Sequence, residues 1–108
     1  MLSISSSQNQ SALIVTLDGR IDANSAKELE QQCLAWIEEG HHKMVLDLTA
    51  VNFISSAGLR AILLIAKKTE QSKGEVKLCG LNNTLKDVFD ISGFSKLFVI
   101  VPTAAEAL

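Results

Sequence analysis

The sequence predicts an α/β fold built on one mixed β-sheet, and three patterns carry that prediction. Apolar runs around residues 13–17, 43–48, 75–80 and 96–101 alternate with stretches of helical spacing, the signature of strands joined by crossover helices. A further short run, "LSIS", precedes the first with only a polar break between them, which gives an N-terminal β-hairpin. No linker, low-complexity tract or repeat interrupts the resulting order β-β-α-β-α-β-α-β-α. The expectation is therefore one domain over residues 1–108, with a single layer of core helices packed on the sheet through right-handed crossovers.

Each element has its own warrant. Leu2 and Ile4 alternate with polar residues, as do Leu13, Val15 and Leu17 in "SALIVTLDG", while Gln8, Asn9 and Gln10 mark the break between the two strands. After "GRIDAN", Ser25 and Glu28 have the spacing of a capping box, and Ala26, Leu29, Cys33, Trp36 and Ile37 recur at helical intervals. The spacing predicts a helix from about Ser25 to Glu39, ending near Gly40. "KMVLDL" is nearly continuous in apolar residues, as a strand covered on both faces should be, and belongs at the centre of the sheet. From about Ala57, Leu59, Ile62, Leu63 and Ala66 trace an apolar helix face, with Lys67, Lys68 and Lys73 towards its end and Gly74 as its stop. "EVKLCG" is the next strand. Leu85, Val88 and Phe89 mark a third helix stopped near Gly93, "KLFVIV" is the last strand, and Pro102 followed by "TAAE" predicts a short terminal helix.

Composition narrows the function classes. Ten basic and twelve acidic residues are dispersed along 108 positions, 47% of them hydrophobic. There is no basic stripe to follow a phosphate backbone, which argues against direct nucleic-acid binding. The opening "MLSISSSQNQ" has neither the charged start nor the apolar core of a signal peptide, and no run approaches the roughly 20 apolar residues of a membrane span. A cytoplasmic location with no membrane partner is expected. Cys33 and Cys79 lie far apart inside apolar patterns, which favours reduced core thiols. His41 and His42 have no third ligand at metal spacing, so no metal is expected.

Loops leaving the carboxyl ends of parallel strands gather on one edge, which brings "GRIDANS" and "TAVNFISSAG" towards one surface. In the second of these, Ser55 and Ser56 stand side by side before Ala57 and Gly58. One serine suffices to cap a helix, and a glycine inside the first turn costs about 1 kcal/mol relative to alanine, so something must offset it. Small side chains also leave the helix amides accessible, and these together with the helix dipole accommodate an anion such as a phosphate on serine. The pattern alone leaves two readings open: a double-serine cap, or a modification or ligand site.

Along almost its whole length the chain resembles the bacterial anti-sigma-factor antagonists, which consist of a single STAS domain. The resemblance lies in "LDGRIDANSAKEL", "MVLDLTAVNFISSAGLRAIL" and "VKLCGLNNTLKDVFDISGF". It implies a STAS-like sheet, and it implies a partner switch: the unmodified antagonist binds an anti-sigma serine kinase and releases that kinase's client, commonly a sigma factor. Phosphorylation ends the binding, and a PP2C-type serine phosphatase restores the antagonist. Ser56 matches the phosphoacceptor and Ser55 stands where the family often has aspartate. Ser55, Ser56, Ala57 and Gly58 fall within the partner-facing region that the resemblance implies, and Asp22 matches the acidic residue of the neighbouring loop. The resemblance makes this chain a substrate and binding partner rather than an enzyme, with no cofactor of its own, since the ATP belongs to the partner kinase.

Competing roles attach to several of these residues. Asp22 is also a natural turn or helix-entry acid, Asn24 touches a partner or caps a helix, and Arg60 meets a partner carboxylate, a phosphate or only solvent. Asp47 at the end of an apolar strand reads as a hydrogen-bond acceptor, and Trp36 on an apolar helix stripe reads as core. Two rival functions remain in view. A hydrolase with Ser56 as nucleophile lacks the GxSxG elbow and would need His41 or His42, which precede the central strand. A STAS scaffold or small-ligand sensor is compatible with the fold.

Overall fold

The computed structural model describes residues 1–108. Its five-stranded sheet has spatial order β1-β2-β3-β4-β5, formed by Leu2–Asn9, Ala12–Ile21, Lys43–Ile54, Glu75–Cys79 and Val99–Val101. The first pair is antiparallel and all later pairs are parallel. The helices α1 (Ala23–Glu38), α2 (Ser56–Gln71) and α3 (Asn83–Ile91) connect successive parallel strands, and α4 (Ala104–Ala107) ends the chain.

Alternation along the strands divides the apolar residues between two faces. Leu13, Val15, Leu17, Met44, Leu46 and Leu78 join residues of α1, α2 and α3 in the main core of 23 buried residues. Ala12, Val45 and Cys79 point the other way and are covered by Ala107 of α4. The expected single layer of helices is thus α1 to α3, with the short α4 closing part of the opposite face. No helix is long and apolar enough to cross a membrane.

Several boundaries differ from expectation, each for a physical reason. The hairpin does not break at Gln8: β1 continues to Asn9, which pairs with Ala12, and the turn is Gln10–Ser11. Residues 5–9 are exposed, so backbone pairing maintains the strand without apolar alternation. β3 does not stop at Leu48 but runs to Ile54 beside a β2 that runs to Ile21. Two irregularities, between Thr16 and Asp18 and between Gly19 and Arg20, each place an extra residue on β3. They move its buried positions to Leu48, Val51 and Ile54, a spacing that hides a strand from a search for period two.

The first helix starts at Ala23 with Asp22 as its N-cap, so Ser25 is the third helical residue of the capping box rather than its start. On α2 the buried positions are Gly58, Leu59, Ala61, Ile62, Ile65 and Thr69, so Leu63 and Ala66 sit only at the margin of the face. The last strand shrinks to Val99–Val101 because Phe94–Lys96 forms a 3-10 turn. Phe98 turns inward instead, its ring 6.2 Å from that of Phe89 in an edge-to-face arrangement.

Candidate functional site

The candidate site is built where β2 and β3 finish in register. Ile21 pairs with Ile54, both are buried, and the next residue on each strand is a helix N-cap. Asp22 and Ser55 both have extended backbones, and the amide of Ser55 donates to the Ile21 carbonyl at 2.8 Å. Two helices therefore start side by side on one edge.

At the first start, Asp22 Oδ1 accepts from the amides of Asn24 at 3.1 Å and Ser25 at 2.9 Å. The amide of Asp22 donates in return to Ser25 Oγ at 2.8 Å, and that hydroxyl lies 2.8 Å from the Arg20 carbonyl, to which it donates. These bonds, those from Ser25 first, hold the Asp22 carboxyl below its ordinary value of 3.8. Asp22 is thus a cap built into the fold, and its removal is not the structurally neutral change that an exposed acid would allow. Asn24 is exposed and does not cap the helix.

At the second start the two serines divide. Ser55 is the N-cap, its Oγ accepting from the Gly58 amide at 3.1 Å. Ser56 is the first helical residue, exposed, and takes no part in the capping bond. The offset that Gly58 requires lies inside the protein. A Cβ there would sit 2.7 Å from Ile21 Cγ2 and 2.8 Å from Ile54 Cγ1, so glycine lets the first turn of α2 settle on the paired strand ends. Gly58 is buried and shapes the surface from beneath.

Ala57 and Arg60 line a groove of about 370 Å³ between α1 and α2, together with Ala23, Ala26 and Lys27. On β2 and β3, before the caps, the Arg20 guanidinium lies 4.4 Å from the centroid of the Phe53 ring, a cation–π contact. Phe53 is 38% exposed. Ala23, Lys27, Arg20 and Phe53 were not singled out by sequence reasoning, since recognising them requires the cross-strand register and the helix pairing.

The Ser56 hydroxyl stands exposed at a helix start beside a second helix start, without a histidine to act as its general base. His41 and His42 precede β3 whereas Ser56 follows it, so the strand separates them from the serine.

These features define a small α/β domain in which two helices start side by side on one sheet edge. The STAS domain family matches residues 3–107, and the chain belongs to that family. It is 42% identical over 88 residues, 82% of its length, to a Bordetella bronchiseptica protein provisionally described as the anti-sigma factor antagonist BtrV, covering 76% of that protein. It is 30% identical over 108 residues to the anti-sigma F factor antagonist of Paenibacillus polymyxa, with 99% of this chain and 92% of that one aligned. Among solved structures, the Bacillus cell fate determinant SpoIIAA in its phosphorylated form superposes with a TM-score of 0.75 at 19% identity, over 97% of this chain and 96% of that one.

Proposed function

We propose that this protein is a phosphorylation-controlled anti-sigma factor antagonist. In its unmodified form it binds an anti-sigma serine kinase and displaces that kinase's client, commonly a sigma factor. The kinase then transfers the γ-phosphoryl group of its own ATP to Ser56 Oγ, ADP leaves, and the hydroxyl proton passes to a base of the kinase. A PP2C-type serine phosphatase reverses the modification. The protein itself supplies no catalytic group.

The observation that carries this reading is the division between the serines: Ser55 is consumed as a cap, whereas Ser56 is exposed beside it. Phosphate adds about −1.5 to −2 charge at neutral pH. The positive end of α2 tolerates that charge in the free protein, but an interface fitted around a hydroxyl must desolvate it or withdraw. A penalty of about 2.7 kcal/mol lowers affinity about a hundredfold. Asp22, Asn24, Ala57 and Arg60 complete the proposed partner surface, with Ser55 and Gly58 setting its shape.

Calorimetry with the cognate kinase tests this. Unmodified protein and Ser56→Ala should bind alike, the alanine form should stay bound when ATP is added, and protein phosphorylated at Ser56 should bind about a hundredfold more weakly. Equal or tighter binding by the phosphorylated form, or phosphate mapped to Ser55, would overturn the proposal.

A further inference from the structure

A cleft of about 560 Å³ opens beyond the carboxyl ends of β4 and β5, beside Asp47 and Thr49 midway along β3 and next to the start of α4. Its volume falls within the roughly 300–1,000 Å³ of small-molecule sites. The only charged side chains lining it are Asp47 and Lys86. The protein's one ion pair joins Lys77 to Glu75 at 3.9 Å, so the Asp47 carboxylate and Lys86 ammonium share a cleft while standing more than 4.0 Å apart.

The acidic wall is fixed in place. Asp47 Oδ1 accepts from the Thr49 amide at 3.0 Å and from Thr49 Oγ1 at 2.6 Å, while Oδ2 takes part in neither bond. Gly80, at a φ of +76°, lies so close to Thr49 that a Cβ would strike its hydroxyl, and the Gly80 amide donates to the Val101 carbonyl at 3.3 Å. Lys86, on α3, is exposed. Leu81, Val101 and Pro102 supply apolar lining. An anchored anion, a separate cation and apolar surface in one cleft are complementary to a molecule with the opposite charges at its two ends.

We propose that this cleft binds a small zwitterion, with an ammonium group held by Asp47, a carboxylate held by Lys86 and a short aliphatic spacer on the apolar lining. None of its lining residues belongs to the Ser56 turn. Titration of the full chain with 6-aminohexanoate, followed by amide chemical shifts, tests it against hexanoate and hexylammonium at equal ionic strength. Saturable shifts at Thr49, Gly80 and Thr103 are expected in the millimolar range, with each singly charged control at least tenfold weaker. Asp47→Asn, which keeps an acceptor for Thr49, and Lys86→Gln, an exposed change, should each weaken the zwitterion at least tenfold. No saturable shift, equal binding by one control, or unchanged affinity in Lys86→Gln would overturn the proposal.

Discussion

Ser55 and Ser56 are adjacent and chemically identical, yet their replacement by alanine should have different consequences for stability. Ser55→Ala removes the acceptor 3.1 Å from the Gly58 amide. Loss of an N-cap costs about 0.5–2 kcal/mol, and because Gly58 is buried water cannot readily replace the bond, which places the cost near 1.5 kcal/mol. With an unfolding entropy of about 2.1 cal/mol/K per residue over 108 residues, the total is about 0.23 kcal/mol/K, so the melting temperature should fall by about 7 °C. Ser55→Asp, which preserves an N-cap acceptor, should recover most of the loss. Ser56→Ala removes an exposed hydroxyl outside the cap, and a surface change of that kind stays within about 0.5 kcal/mol. Thermal unfolding of the three variants followed by circular dichroism decides the matter. A loss in Ser56→Ala equal to that in Ser55→Ala would refute the assignment of the cap.

Four further outcomes follow from the structure. Gly58→Ala should gain about 1 kcal/mol of helix propensity but lose about 1–3 kcal/mol to overpacking against Ile21 and Ile54, so urea unfolding should report a net loss of about 1 kcal/mol, and a net gain would sink the packing account. Asp22→Asn should keep the cap and Asp22→Ala should lose it, so a weaker partner complex with the asparagine form at unchanged stability would isolate the role of the charge; if both variants bind as the parent does, Asp22 is only a cap. Since the folded Asp22 carboxyl titrates below its ordinary value of 3.8, its contribution to stability is in force above that pH and fades as pH falls through the lower folded value, an acid limb that urea titration of Asp22→Asn should lack. Burial pushes the Cys33 thiol up to about 12, and burial first and then the Asp47 carboxylate push Cys79 up to about 11, so both should resist iodoacetamide at pH 8 until the protein is unfolded.

The elements that were legible in the sequence are those whose side chains follow one clean period. Leu13, Val15 and Leu17 alternate, "KMVLDL" is continuous, and Leu29, Cys33 and Ile37 recur along one helix face. β3 beyond Leu48 was not legible because the two irregularities in its pairing with β2 change the spacing of buried residues. The strand end at Ile54 therefore looked like loop, and with it the whole setting of Phe53. The assignment of the caps failed differently at α1: both Asp22 and Ser25 belong to the capping box, and sequence spacing alone gave Ser25 the wrong end of it. At the site, the demand for a small residue at position 58 was legible from the cost of glycine. What it accommodates, the facing pair Ile21 and Ile54, depends on a register that no local pattern encodes.

That register also keeps the Ser56 side chain out of the bonds that secure the turn. Because β2 and β3 end together, the Ser55 amide can bond to the Ile21 carbonyl, the Ser55 hydroxyl can cap α2, and Gly58 can sit on both isoleucines. Each of these contacts secures the turn, and none uses the Ser56 side chain. A phosphate placed on Ser56 therefore adds charge next to helix amides and a favourable dipole without removing a bond that the fold depends on. A phosphate on Ser55 would instead occupy the capping oxygen itself, 3.1 Å from the Gly58 amide, and would have to fit beside the buried first turn. On the proposed reading, the turn therefore favours Ser56 over Ser55 as the acceptor, because only Ser56 leaves the capping bond intact.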